Sequence, residues 1–269
     1  MLRPTFLFVS LFLTASTAQA LETHPEIPKT PSGLLQCIHP LTPHKAFPRA
    51  PGEKLQYDLE LFGINLGTAS FEIKRRGTFR GVPVTEYRTS VDTASMVDLL
   101  TTVEGNAAAI VPDGHFAPVQ AASSYVFRNH KEQEFQTYKL HGKKVVSKRN
   151  RNGKTSTQQK HFQTPVMDFL TGFYLLRGLS QNTSGCTIVY SGHKAFTLWI
   201  QPQRTETIST LFGKQSAHRY RIRYGSNRSK KIKEVLLWLS TDEKRLPLRI
   251  EGLTKFHPIA ELTSYRNGS

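Results

Sequence analysis

Glu234 to Gly252, EVLLWLSTDEKRLPLRIEG, reads as one β-hairpin. Val235, Leu237 and Leu239 fall on one face of an extended strand and Leu236 and Trp238 on the other, so this strand is expected to be central and covered on both sides. Thr241 to Arg245 is a polar, charged connection. After it Leu246, Leu248 and Ile250 alternate with Pro247, Arg249 and Glu251, the pattern of a half-solvated strand. Pro247 has no N–H for a ladder, which places it at the strand's start or with its nitrogen outward. Trp238 beside Asp242 and Arg245 invites an active-site reading, but alternation makes Trp238 a core residue and Asp242 to Arg245 a turn. Charges interrupt every apolar run well before the ~20 residues that a spanning helix needs, so the chain is not expected to span a membrane.

The same rhythm begins after Gly52. Leu55, Tyr57, Leu59 and Leu61 share a face, Gly63 to Gly67 turns the chain, and Ala69, Phe71 and Ile73 share the next face. Further strands are expected over Val82 to Val91, Leu99 to Ile110, Phe116 to Phe127, Glu132 to Leu140, Lys144 to Arg149, Thr187 to Tyr190, Phe196 to Ile200, Thr205 to Leu211, His218 to Tyr224, and Pro258 to Tyr265. One segment breaks the rhythm: with Thr164 as cap and Pro165 first, Val166, Phe169, Leu170, Phe173 and Leu176 recur at helical spacing until Arg177 and Gly178. This predicts one amphipathic helix of about three turns across a curved sheet, apolar face inward, with Tyr174 as a packing residue.

The N-terminus has the build of a secretory signal peptide: Arg3, an apolar core from Phe6 to Leu13, and Ala18-Gln19-Ala20 as cleavage site. Cleavage after Ala20 removes only Arg3 among charged residues, so the net charge of +16 falls by one, and the mature protein is expected to be soluble. Residues 21–51 hold seven of the fifteen prolines and read as an extended lead. Residues 52–269 then form a single β-rich domain. Cys37 and Cys186 are the only cysteines, and in an oxidising compartment one bridge is the economical reading, against two unpaired thiols or an intermolecular link. No C-x-x-C supports a redox pair.

Catalytic templates are missing. The chain has no G-x-S-x-G, H-E-x-x-H, P-loop or G-x-G-x-x-G, so neither catalytic residues, nor a cofactor, nor a metal site are expected. His193 has no recognisable acid partner in sequence, and neither His39 with His44 nor His130 with His141 has zinc spacing. Asp92, Asp98 and Glu104 are ordinary in density for a carboxylate pair.

Charge is the one functional signal with weight. Phe135 to Met167 carries eight Lys and Arg and no acid, as does Thr207 to Lys233, and these sixteen account for the whole excess. Arg219, Arg221 and Arg223 alternate with Tyr220, Ile222 and Tyr224, so in a strand their guanidinium groups stand on one face about 7 Å apart. That row, with Lys143, Lys144, Arg149 and Arg151, is the candidate anion-binding set; the bland alternative is a solvated strand face. Export argues against nucleic acid and leaves anionic lipid, lipopolysaccharide or peptidoglycan as polyanions.

Pro51-Gly52-Glu53-Lys54-Leu55-x-Tyr57 with Gly63-Ile64-x-Leu66-Gly67-Thr68-Ala69, then Asp168 to Arg177, then Trp238 to Asp242 with Arg245 to Ile250, resemble in order the motifs of the bacterial envelope family known as domain of unknown function 3108. The resemblance implies a Gram-negative periplasmic protein, mainly antiparallel β, curled into an incomplete barrel or β-spiral around a helix, similar in architecture to the periplasmic carrier of outer-membrane lipoproteins. It brings no activity or catalytic residue. The two acid-free stretches and the Cys37/Cys186 pair match no motif of that family.

The leading expectation is therefore a non-enzymatic binding or envelope-maintenance protein. An apolar concavity would take a lipid-like or lipoprotein ligand, with basic residues meeting an anionic headgroup. A basic adaptor docking on an envelope protein or peptidoglycan is the competing class, and an envelope hydrolase the third.

Overall fold

The computed structural model describes residues 37, 39–41, 48–93, 103–127, 130–226 and 232–269. The expected signal peptide and its Ala20 cleavage site, most of the lead with His44, Asp98, the start of the Leu99 strand, and Arg228, Lys230 and Lys231 of the second basic run lie outside the described residues.

Alternation becomes strand along most of the chain. The first half forms β1 (Lys54–Leu61), β2 (Ile64–Phe79), β3 (Val82–Thr93), β4 (Val103–Pro112), β5 (Gln120–Phe127), β6 (His130–Lys139), β7 (Lys144–Arg151) and β8 (Lys154–His161). The short β9 (Val166–Met167) and helix α1 (Phe169–Arg177) follow. The second half forms β10 (Gly185–Ser191), β11 (Lys194–Thr210), β12 (Gly213–Ser226), β13 (Lys233–Ser240), β14 (Pro247–Gly252) and β15 (Ile259–Arg266). All fifteen strands share one sheet in the order β8 to β1, then β15 down to β9. It is two antiparallel meanders joined where β1 pairs with β15, and only β9 runs parallel to its neighbour.

The described residues are mainly β, an incomplete barrel with one helix. Its two ends meet through side chains and a backbone bond from the Val166 N–H to the Gly142 carbonyl at 3.1 Å, rather than through a ladder. Glu134 on the inner face of β6 accepts from the Gly192 N–H at 2.7 Å, Arg149 of β7 donates to the Gly192 carbonyl at 3.0 Å, and the Tyr190 hydroxyl donates to Gln158 of β8 at 3.1 Å. The free edge of β10 is covered by residues 39–41: the Cys186 N–H donates to the His39 carbonyl at 2.8 Å and the Leu41 N–H to the Cys186 carbonyl at 2.9 Å. Both edges are thus guarded, the other by the polar, lysine-bearing β8.

The opening hairpin forms as its pattern demands. β13 lies between β12 and β14, its Val235, Leu237 and Leu239 are buried inward, and Pro247 is the first residue of β14. Trp238 is 5% exposed on the outer face, where the cover is not a second layer. Its register partners there are Arg219 and Arg249, and its indole N–H donates to Glu206 at 2.8 Å.

Four local expectations need correction. The helix does not start at Thr164–Pro165: Val166 and Met167 pair with Ile188 and Val189, and Asp168 is the cap, accepting from the Leu170 and Thr171 N–H groups at 3.2 Å each. A strand partner satisfies the backbone that the helix would have used, and an aspartate is the stronger cap. What remains is nine residues, buried on every side from Leu170 to Arg177 rather than along one face. The β1–β2 turn is only Phe62-Gly63, both at positive φ, while Gly67 sits in the strand at φ 147, where an added Cβ would lie 2.1 Å from the Asp92 carbonyl oxygen. Phe196–Ile200 and Thr205–Thr210 belong to one long β11, irregular between Pro202 and Thr205, and Leu211 falls in the turn after it. The fully polar β8 has no apolar period to announce it.

Candidate functional site

Cross-strand register arranges the inner face in rows that change character across the sheet. One row runs Phe71, Thr89, Ala107, Ser123, Glu134, Arg149 from β2 to β7; the next runs Val91, Gly105, Tyr125, Glu132, Arg151 from β3 to β7. Aromatic bulk gives way to small side chains and then to ions. Helix α1 fills the aromatic end, with Phe173 stacked on Phe71 at 3.9 Å between centroids and Tyr174 against Tyr87 at 4.7 Å.

The small residues leave space. A cavity of about 200 Å³ lies between Thr89, Gly105, Ala107, Ala121 and Ser123 on one wall and Leu198, Ile222, Tyr224, Val235, Leu237 and Ile250 on the other. Phe169, Leu170, Phe173 and Leu176 of α1 form its floor. It is partly open to solvent. A dry cavity of about 150 Å³ suffices to admit benzene, so this one has room for a ring or a stretch of alkyl chain. Its lining is mostly apolar, but three buried hydroxyl oxygens in it lack a hydrogen-bond partner: Thr89 Oγ1, Ser191 Oγ and the Tyr224 phenol. Burial pushes the Tyr224 phenol well up, so it stays protonated.

Beside the cavity the ionic rows neutralise themselves. Glu132 is 3.9 Å from Arg149 and 3.7 Å from Arg151, and Tyr125 hydrogen-bonds to it. Burial still holds the Glu132 carboxyl above its ordinary value, against the pull of Tyr125 and the two arginines. Glu134 takes the backbone N–H groups of Gly192 and His193. His193 is buried in that turn, and desolvation, then Arg149, lower its pKa.

The seven expected anion-binding residues are divided among three places. Arg219, Arg221 and Arg223 do stand together on the outer face of β12, but against Glu206 at 3.4 Å and Glu234 at 3.6 and 2.9 Å, and their strand neighbours Tyr220, Ile222 and Tyr224 point inward. Lys143 and Lys144 lie at the β6–β7 turn and outer face. Arg149 and Arg151 face inward onto Glu132. Cys37 and Cys186 are joined as a disulfide, Cα atoms 5.4 Å apart. Asp92 and Glu104 are cross-strand neighbours on the outer surface, and His130 opens β6 while His141 lies in the turn beyond its other end, stacked on His115.

An apolar concavity was expected from the sequence, but not where it lies or what lines it, and the inward acids were missed. Gly105, Ala107, Ala109 and Ala121, Ser123 on adjacent strands were the available sign, a block of small residues at successive inward positions. Glu132, Glu134 and Gln136 at alternate positions with Phe135 exposed were the sign of a strand with its polar side inward.

Residues 56–259 match the model of a family described as protein of unknown function, DUF3108. No curated protein matches the chain. Among solved structures, a β-barrel-like protein of domain of unknown function DUF1849 from Brucella abortus is similar over 82% of this chain and 99% of its own, with TM-score 0.57 at 11% identity, a likeness of fold. A protein from Bacteroides fragilis described as exported, with a YmcC-like fold, covers 82% and 99% at 10% identity, but its TM-score of 0.38 carries no argument.

Proposed function

This chain belongs to the DUF3108 family, and from that premise and the cavity we propose that it is an exported, non-enzymatic envelope protein that shelters the apolar part of a lipid-like or lipoprotein ligand. The single observation that carries the reading is the cavity itself, a void kept open by glycine, alanine and serine where neighbouring rows are filled by aromatic rings. Export by cleavage after Ala20, a periplasmic location and residues 52–269 acting as one domain belong to the same proposal, and the disulfide supports the oxidising compartment it requires.

A second reading rests on the outer face. Three arginines there share two glutamates, leaving a residual positive row suited to lipopolysaccharide, anionic lipid or peptidoglycan carboxylates, by which an adaptor would dock without an internal ligand.

Filling the void separates the two. Ala107→Phe places a ring in the cavity, and binding of the apolar fluorophore N-phenylnaphthylamine is expected to fall at least about tenfold while the melting temperature holds or rises, because an empty space is being occupied. Native mass spectrometry and lipid extraction of the wild type should show an acyl compound that the variant lacks. A ligand-free wild type, together with unchanged fluorophore binding in Ala107→Phe, refutes the internal-ligand reading.

A further inference from the structure

We propose that the cavity selects an uncharged acyl ester or amide and rejects the free fatty acid of the same chain, an inference that rests on the cavity being a ligand site. Its ionisable lining residues other than tyrosine are Glu104, whose side chain stands on the outer face beside Asp92, and Asp168, whose oxygens already take the Leu170 and Thr171 N–H groups and the Thr171 hydroxyl. Asp168 occupies the positive end of α1, the one dipole that would otherwise welcome a carboxylate there. The inward cations nearest in register, Arg149 and Arg151, face Glu132 on the adjoining strand. A fatty-acid carboxylate drawn into this space would lose its water with no free cation among the described lining residues to receive it.

The neutral polar groups tell the opposite story. Ser191 is 3% exposed and Tyr224 7% exposed, each with a hydroxyl oxygen that no protein group satisfies, and Thr89 adds a third on the facing wall. Buried hydroxyls are normally bonded, and three unmatched ones around one apolar void form a set of donors for a carbonyl oxygen. An ester or amide carbonyl accepts such bonds without bringing charge. The linkage of an acylglycerol and that of an N-acylated peptide terminus share this chemistry, and a ligand held by it keeps any charged remainder at the mouth.

Monodecanoylglycerol, N-decanoylglycinamide and decanoate, titrated at pH 8 against bound N-phenylnaphthylamine, test this directly. The ester or the amide is expected to bind at least about tenfold tighter than decanoate, and the tighter of the two names the source of the linkage. Tyr224→Phe and Ser191→Ala should each weaken the preferred neutral ligand about three- to tenfold, while fluorophore affinity holds or rises because the wall becomes more apolar, which separates lost hydrogen bonds from a collapsed cavity. Decanoate binding as tightly as the neutral pair, or hydroxyl variants that leave neutral-ligand affinity intact, overturns the selectivity while the cavity reading stands. Failure of all three ligands and of the fluorophore to bind overturns both.

Discussion

Arg177→Met is expected to destabilise the protein by about 3–5 kcal/mol, because it leaves a buried carboxylate without its partner. Arg177 and Glu53 are each 4% exposed. Their contact is bidentate, Nη1 to Oε1 at 2.5 Å and Nη2 to Oε2 at 3.0 Å, and Nη2 also donates to the Lys244 carbonyl at 3.0 Å. Burial alone would lower the guanidinium's pKa, yet the hydrogen bonds and charge of Glu53 raise it on balance. The pair fastens the last turn of α1 to the entrance of β1 and to the β13–β14 turn, so losing it loosens the floor of the cavity as well as the barrel. In Arg177→Met with Glu53→Gln the stranded charge is gone, and most of the loss should return. Urea melts of the two single variants and the double variant measure this; a single-variant loss under about 1 kcal/mol would show that the pair contributes no more than a surface bridge.

The same contact explains why three motifs far apart in sequence stand out together. Glu53 belongs to the first, Arg177 to the second, and Lys244–Arg245 borders the third, and all meet at the helix C-terminus. Arg245, read from sequence as part of a solvated turn, is 6% exposed and donates to the Leu179 carbonyl at 2.8 Å and to the Tyr220 hydroxyl at 2.9 Å. The motifs therefore meet in the plug of the barrel. Alternation sufficed for β1, β3, β12 and β13 because one face of each is packed against aliphatic or aromatic side chains. It failed for β8, which is polar on both faces, and for the start of α1, where Val166 and Met167 suit strand and helix equally until a strand partner decides.

The site was less legible than the fold for a related reason. A sequence shows what fills space and is silent on what leaves it empty, so the void depends on register: Thr89, Ala107 and Ser123 must lie side by side before their smallness adds up. Charge was misleading in a complementary way. The run from Phe135 to Met167 is basic without acids in sequence, yet Arg149 and Arg151 reach back across β6 to Glu132, just upstream of it. Counting along the chain cannot see pairing across it.

Reduction of the Cys37–Cys186 disulfide is expected to have the other large effect. The bridge spans a sequence separation of 149 residues, and in the chain-entropy model closing so long a loop in the unfolded chain contributes roughly 5 kcal/mol. That figure is an upper bound, because measured contributions of cross-links commonly fall below the chain-entropy value. At about 2–4 °C per kcal/mol for a chain of this size, the melting temperature should drop by up to about 10–20 °C. The double variant Cys37→Ser with Cys186→Ser isolates the bridge from free-thiol chemistry, and should match the reduced wild type. A melting temperature and non-reducing electrophoretic mobility indifferent to reductant would refute the bridge's role. Its loss also removes the anchor that holds His39 to Leu41 over the backbone of β10, returning the Cys186 N–H and carbonyl to solvent at an open sheet edge. The reduced protein should therefore be less stable and also more prone to associate through that edge, a coupling that ties a sound fold to an oxidising compartment.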